Sequence, residues 1–160
     1  MPQEKISFDQ FLTAVSSDHS EFVQALHHSL LEQGCKVSFE EKKSGYLASY
    51  KYGKPPKAFL NFLFRKDGMH VRIYGEGYHA YGDFLNTLPA TLVTQITSAG
   101  DCRRLTQNTC SPKCSGYDFM IADAHFQKCR YGCFEFLITE ESKPHIKAFI
   151  EQELNARLAM

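Results

Sequence analysis

Four of the six cysteines in this 160-residue chain stand as two spaced pairs, Cys110 with Cys114 and Cys129 with Cys133, in the run CSPKCSGYDFMIADAHFQKCRYGC. Thiolate sulfur is a soft donor, and four convergent cysteines in a reducing compartment suit tetrahedral zinc. A closed set of four thiolates leaves no open position for a substrate, so such a site is structural and metal binding adds folding free energy. Lys113, Lys128 and Arg130 flank the thiols and would offset part of the tetrathiolate's negative charge. The three-residue spacing is looser than the two-residue spacing of common zinc knuckles. The same sulfurs also fit reduced thiols without metal, a thiol-based redox or metal sensor, or an iron–sulfur cluster. Cys102 is a substitute ligand or a resolving thiol in these readings, and Cys35 is most simply a small core residue.

The seven histidines form no H-x-x-x-H or H-E-x-x-H motif, and His27 and His28, adjacent on a helix, point about 100° apart. No G-x-S-x-G, P-loop or dinucleotide fingerprint is present, so the residues favour binding over catalysis. The segment GEGYHAYG, 75–82, interleaves glycines with Tyr78, His79 and Tyr81 and follows Arg72 and Tyr74. These five side chains, Arg72, Tyr74, Tyr78, His79 and Tyr81, could line a ligand pocket at a sheet end. A third chemistry lies in 42–57, where Lys42, Lys43, Lys51, Lys54 and Lys57 alternate with Tyr46, Tyr50 and Tyr52. Lysines meet phosphates and aromatics stack bases, which makes this stretch a candidate nucleic-acid interface. In YLASYKY the alternation puts Tyr46, Ala48, Tyr50 and Tyr52 on one face, and that face is equally suited to burial.

The elements that must position these groups read as helix, then sheet, then helix. Ser7 and Gln10 form a capping box over a short helix Phe8–Ser16. A second helix is expected over 19–33, with Gly34 at its C′ position. Strands follow over 36–41, 46–52, 58–65 and 69–74, an antiparallel meander whose AFLNFLFR member is apolar enough to have both faces covered. A helix is expected over 89–99, a last strand over 134–138, and a C-terminal helix over 141–158. In the cysteine segment GYDFMI and HFQK form a hairpin through ADA; pairing Cys114 with Cys129 and Cys110 with Cys133 would centre it at 121/122. The fold class is therefore α+β: an antiparallel β-sheet meander flanked by N-terminal and C-terminal helices, with a Cys-rich hairpin. One domain is expected over 1–160, with the four-cysteine hairpin inserted at about 102–134.

The composition, 43% hydrophobic and 22% charged, is that of an ordinary globular chain and excludes disordered, collagenous and membrane-spanning classes. MPQEKISFDQF lacks the basic and apolar regions of a secretory signal, which points to a cytoplasmic protein with reduced thiols. Net charge is zero but unevenly placed. Residues 1–35 hold one lysine against five acids, 36–130 hold fourteen basic side chains against eight acids, and 131–160 hold three against five. A basic middle hints at an anionic partner, while zero net charge argues against a dedicated nucleic-acid binder.

KSGYLASYKYG, FLNFLFRKDGMHVRIYG and LPATLVTQI resemble the small bacterial YdhG-like and frataxin-like domains, which set helices against an antiparallel sheet, and the resemblance covers about residues 20–105. Frataxin-like iron handling relies on an acidic ridge on the first helix; Asp18, Glu21 and Glu32 are too sparse to carry it over. The tail with CSPKCSGYDF and KCRYGCFEF resembles an uncharacterised family of small bacterial cysteine-containing proteins, to which no activity attaches. The expectation is a cytoplasmic, bacterial-type protein, with zinc as structural cofactor at Cys110, Cys114, Cys129 and Cys133. It would bind a small ligand or a protein partner near 75–81.

Overall fold

Helix α1, Phe8–Leu12, starts where the capping box places it: Gln10 N–H donates to Ser7 Oγ, and Ser7 N–H donates to Gln10 Oε1. It ends at Leu12, shorter than the sequence suggested. These details come from a computed structural model, which describes residues 6–107 and 116–159. Helix α2, Ser17–Glu32, ends in a Schellman motif: Gly34 at φ +96° sends its N–H to Leu31 O, and Cys35 sends its N–H to Leu30 O. Strands β1 (Lys36–Lys42), β2 (Gly45–Tyr52), β3 (Lys57–Arg65) and β4 (Gly68–Ile73) form the meander.

Helices α3 (Ala90–Thr97) and α4 (Arg103–Thr106) follow, then strands β5 (Tyr117–Ile121), β6 (Ala124–Lys128) and β7 (Glu135–Leu137), and helix α5 (Ser142–Leu158). The main sheet runs β1-β2-β3-β4-β7, and β5-β6 form a separate two-stranded sheet. Strand β7 joins β4 through Ile138 N–H to Met69 O and Ile73 N–H to Phe134 O, both 2.9 Å. The α+β class, an antiparallel sheet with helices at both ends of the chain, is thus the observed one. Among the described residues no helix is long and apolar enough to cross a membrane.

The chain divides into two compact units, Met1–Arg72 with Leu137–Lys143, and Ile73–Phe136 with Pro144–Met160. In the first, Phe11, Val23, Leu26 and Leu30 of α1 and α2 are buried, as are Ala48, Tyr50, Leu60 and Phe62 of the sheet. Strand β3 buries Phe59, Leu60, Asn61 and Phe62 in succession, so both of its faces are withdrawn from water. The tyrosine face of β2 turns inward: Tyr50 is fully buried, its hydroxyl 2.8 Å from His27 Nδ1. Burial, more than the His28 charge, holds the His27 imidazole below its ordinary range.

In the second unit Tyr117, Phe119, Phe134, Phe136 and Phe149 form an aromatic core, with Tyr117 stacked on Phe134 at 4.7 Å. The β5–β6 hairpin turns through Ala122-Asp123 and pairs Tyr117 with Lys128 and Phe119 with Phe126. Its centre lies one residue beyond the position expected from the cysteine pairing, because Ala122, at φ +53°, takes the tight turn.

Candidate functional site

Four polar groups of GEGYHAYG are fastened by side chains from elsewhere in the second unit. Gly75 N–H donates to the Tyr117 hydroxyl at 2.7 Å, and Arg130 Nη2 donates to Glu76 Oε1 at 2.7 Å. Gly77 N–H donates to Glu153, and the Tyr81 hydroxyl donates to Glu153 Oε1 at 2.5 Å. Glu153 is wholly buried on α5, one helical turn before Arg157, whose Nε donates to it and whose Nη2 caps Tyr74 O at 2.8 Å. Burial pushes the Glu153 carboxyl up, and the donors from Tyr81, Arg157 and Gly77 pull it back. The Tyr81 hydroxyl is driven far above its usual range by burial first and by the Glu153 charge second. At Gly77 a side chain is excluded, because a Cβ there would sit 2.5 Å from the Ala156 methyl.

Held this way, the segment forms one wall of a pocket of about 340 Å³ whose other wall is the β5–β6 hairpin. Tyr78, His79 and Tyr81 border it together with Asn86, Asp118 and Ala122. Asp118 N–H donates to the Tyr78 hydroxyl at 3.2 Å, tying the two walls. The Asp118 carboxylate takes His125 Nε2 at 2.5 Å and Gln127 Nε2 at 3.1 Å, and these bonds hold its carboxyl below the usual range. Asn86 Oδ1 accepts the Ala122 N–H at 2.6 Å, supporting the left-handed turn residue. Met120, 55% exposed, adds an apolar lip. The lining therefore combines the carboxylates of Asp83 and Asp118 with an imidazole, an amide and a thioether, which suits a small polar ligand carrying an amine or hydroxyl group.

Of the five side chains expected to form a pocket, three come together. Tyr74 does not line it; it is buried with the Arg130 guanidinium 5.5 Å over its ring. Arg72 is a half-buried residue of β4, in the first unit.

Cys110 and Cys114 lie outside the described residues. Cys129 and Cys133 are one helical turn apart, with Cys133 N–H donating to Cys129 O at 3.0 Å, so a single turn carries both. Cys102 is buried beside the same strand: its N–H donates to Gln127 O, and Cys129 N–H donates to Gly100 O. The Cys102 sulfur packs so closely on Gly116 that a Cβ there would lie 2.2 Å from it. Burial pushes the Cys133 thiol up, opposed by the Lys128 ammonium. Lys128 Nζ bonds Ala99 O and Asp101 Oδ1, and Arg130 pairs with Glu76, so both flanking cations already have anionic or carbonyl partners. Among the described residues no three His, Cys, Asp or Glu side chains converge as a metal site.

Glu153 and Arg157, an i,i+4 pair on α5, are not among the residues that the sequence singles out for a site. The available signal was their position: Ile146, Phe149, Ile150, Glu153 and Ala156 recur at three and four, so the carboxylate stands on the apolar face of α5. No protein-family model, curated protein or solved structure matches the chain.

Proposed function

We propose that the protein is a cytoplasmic binding protein whose second unit takes a small polar ligand in the pocket between GEGYHAYG and the β5–β6 hairpin. The observation that carries this reading is the fastening of that segment. Tyr117 and Glu153 hold the Gly75 and Gly77 N–H groups, Arg130 holds the Glu76 carboxylate, and Arg157 caps Tyr74 O just before the segment, so less ordering of Tyr78 and His79 remains to be made at binding. The pocket volume of about 340 Å³ falls at the small end of the ligand-site range. A ligand-observed NMR screen of small amines, amino acids and polyols tests it. Binding that is lost in Asp118→Asn and His79→Ala, with folding kept, is expected; binding unchanged in both variants would refute the site.

Within the same reading, Cys110, Cys114, Cys129 and Cys133 hold a structural zinc. The turn that carries Cys129 and Cys133 supports it, since two thiolates from one short turn are half of a tetrahedral set. Metal content per chain, beside a Cys129→Ser/Cys133→Ser variant, tests this directly: about one zinc in the parent and none in the variant is expected. The thiol-sensor alternative needs an exposed, activated thiolate, and Cys129 has lost its flanking cations to Asp101 and Glu76. Rapid thiol labelling before any chelator is added would favour that alternative.

A further inference from the structure

The first unit carries a second cavity, of about 560 Å³, between the end of α2 and the β2–β3 turn. Lys36, Lys51 and Lys54 line it with Tyr52, Gln33 and Gly53, and among the described residues no acid borders it. Lys36 and Lys51 are direct register partners across β1 and β2. Like charges placed opposite each other destabilise an antiparallel pair. Among the described residues no ion pair joins Lys36, Lys51 or Lys54 to an acid. Among the described residues the sheet therefore holds, in the lining of a cavity, a positive pair that no acid compensates.

Two further features sharpen the site. The β2–β3 register shifts between Tyr50 and Lys51, and such a bulge re-aims the side chains beside it. The C-terminal end of α2 borders the same cavity at Gln33 and Gly34. A helix C-terminus carries about half a negative charge, and the Schellman bonds already occupy Leu30 O and Leu31 O. One lysine would balance that end; three full charges leave an excess.

We propose that this cavity binds a phosphate-bearing ligand, with Lys36 and Lys51 gripping one phosphate, Lys54 reaching a second, and Tyr52 offering a ring face beside them. It is independent of the pocket in the second unit. Two sources share the chemistry, a free nucleotide or polyphosphate and the backbone of a single-stranded nucleic acid, and both obey the same electrostatics.

The test is titration of the full chain with sodium tripolyphosphate, ATP and a fluorescent oligothymidylate at low salt, with poly-glutamate as a control polyanion. Saturable binding of at least one phosphate probe is expected, weakened at least about tenfold in Lys36→Gln/Lys51→Gln. That variant should melt about 1–2 °C higher than the parent without ligand, because the opposed charges are gone. ATP or tripolyphosphate binding without the oligonucleotide identifies a free phosphorylated ligand, and oligonucleotide binding that weakens steeply with salt identifies the nucleic acid. Failure of all three probes, equal binding of poly-glutamate, or binding untouched by the double substitution would overturn the site.

Discussion

Glu153 shows how much one carboxylate can organise. It is wholly buried and takes bonds from Tyr81, Gly77 and Arg157. Removing its charge takes from the Arg157 guanidinium, itself 5% exposed, the carboxylate it bonds, and breaking a buried ion pair from one side costs several kcal/mol. Glu153→Gln should therefore lose about 2–4 kcal/mol in urea unfolding, read from the midpoint at unchanged slope. Replacing both partners together, Glu153→Leu with Arg157→Met, should lose less than the single change. His27 supplies a pH-dependent counterpart. Its folded form is held below the ordinary value of 6.5 by burial against Phe8 and Tyr50, with the His28 charge adding to it. A group depressed on folding contributes stability above its unfolded value and loses it on acidification. The melting temperature should fall as pH drops from about 7.5 to about 5.5, and His27→Gln should flatten that slope; an unchanged slope would mean that other groups set it.

At the scale of elements, the hairpin β5–β6 ties structure to site most directly. Its turn residue Ala122 sits at φ +53°, a region that costs an L-residue about 1–2 kcal/mol and that asparagine tolerates best after glycine. Ala122→Asn should raise stability by about 0.5–1 kcal/mol, measured by thermal unfolding, and the Ala122 side chain's place in the pocket wall makes ligand binding a second readout. The hairpin itself was readable, since GYDFMI and HFQK alternate and ADA interrupts them. Its register was not, because the turn geometry at Ala122 sets it and the cysteine spacing carries no trace of that turn. Helix α2 behaved differently: Gly34 after an apolar three-four pattern is a local signal, and the observed Schellman bonds follow from it. The pocket was half legible for the same reason. Glycines and aromatics in GEGYHAYG are local, while Asp118 and Asn86 reach it only through long-range packing.

For the molecule as a whole, the proposed zinc makes a claim about where stability resides. Metal bound at the cysteines of the second unit would hold the end of β6, to which Cys102 is joined through Gln127 O and which Cys129 follows with its N–H on Gly100 O. Local opening free energies vary across a fold, and removing a bound metal lowers them first where its ligands attach. Hydrogen exchange before and after chelation should show protection lost at the amides of Cys102, Cys129 and Cys133. Those of Ala48, Ser49 and Tyr50, deep in the β2–β3 ladder of the first unit, should exchange as slowly as before. A uniform loss across both sets would mean that the metal sustains the entire fold. No change at either would remove zinc from the account and leave Cys102 and Cys133 as packing residues, buried beside Gly116 and the aromatic core.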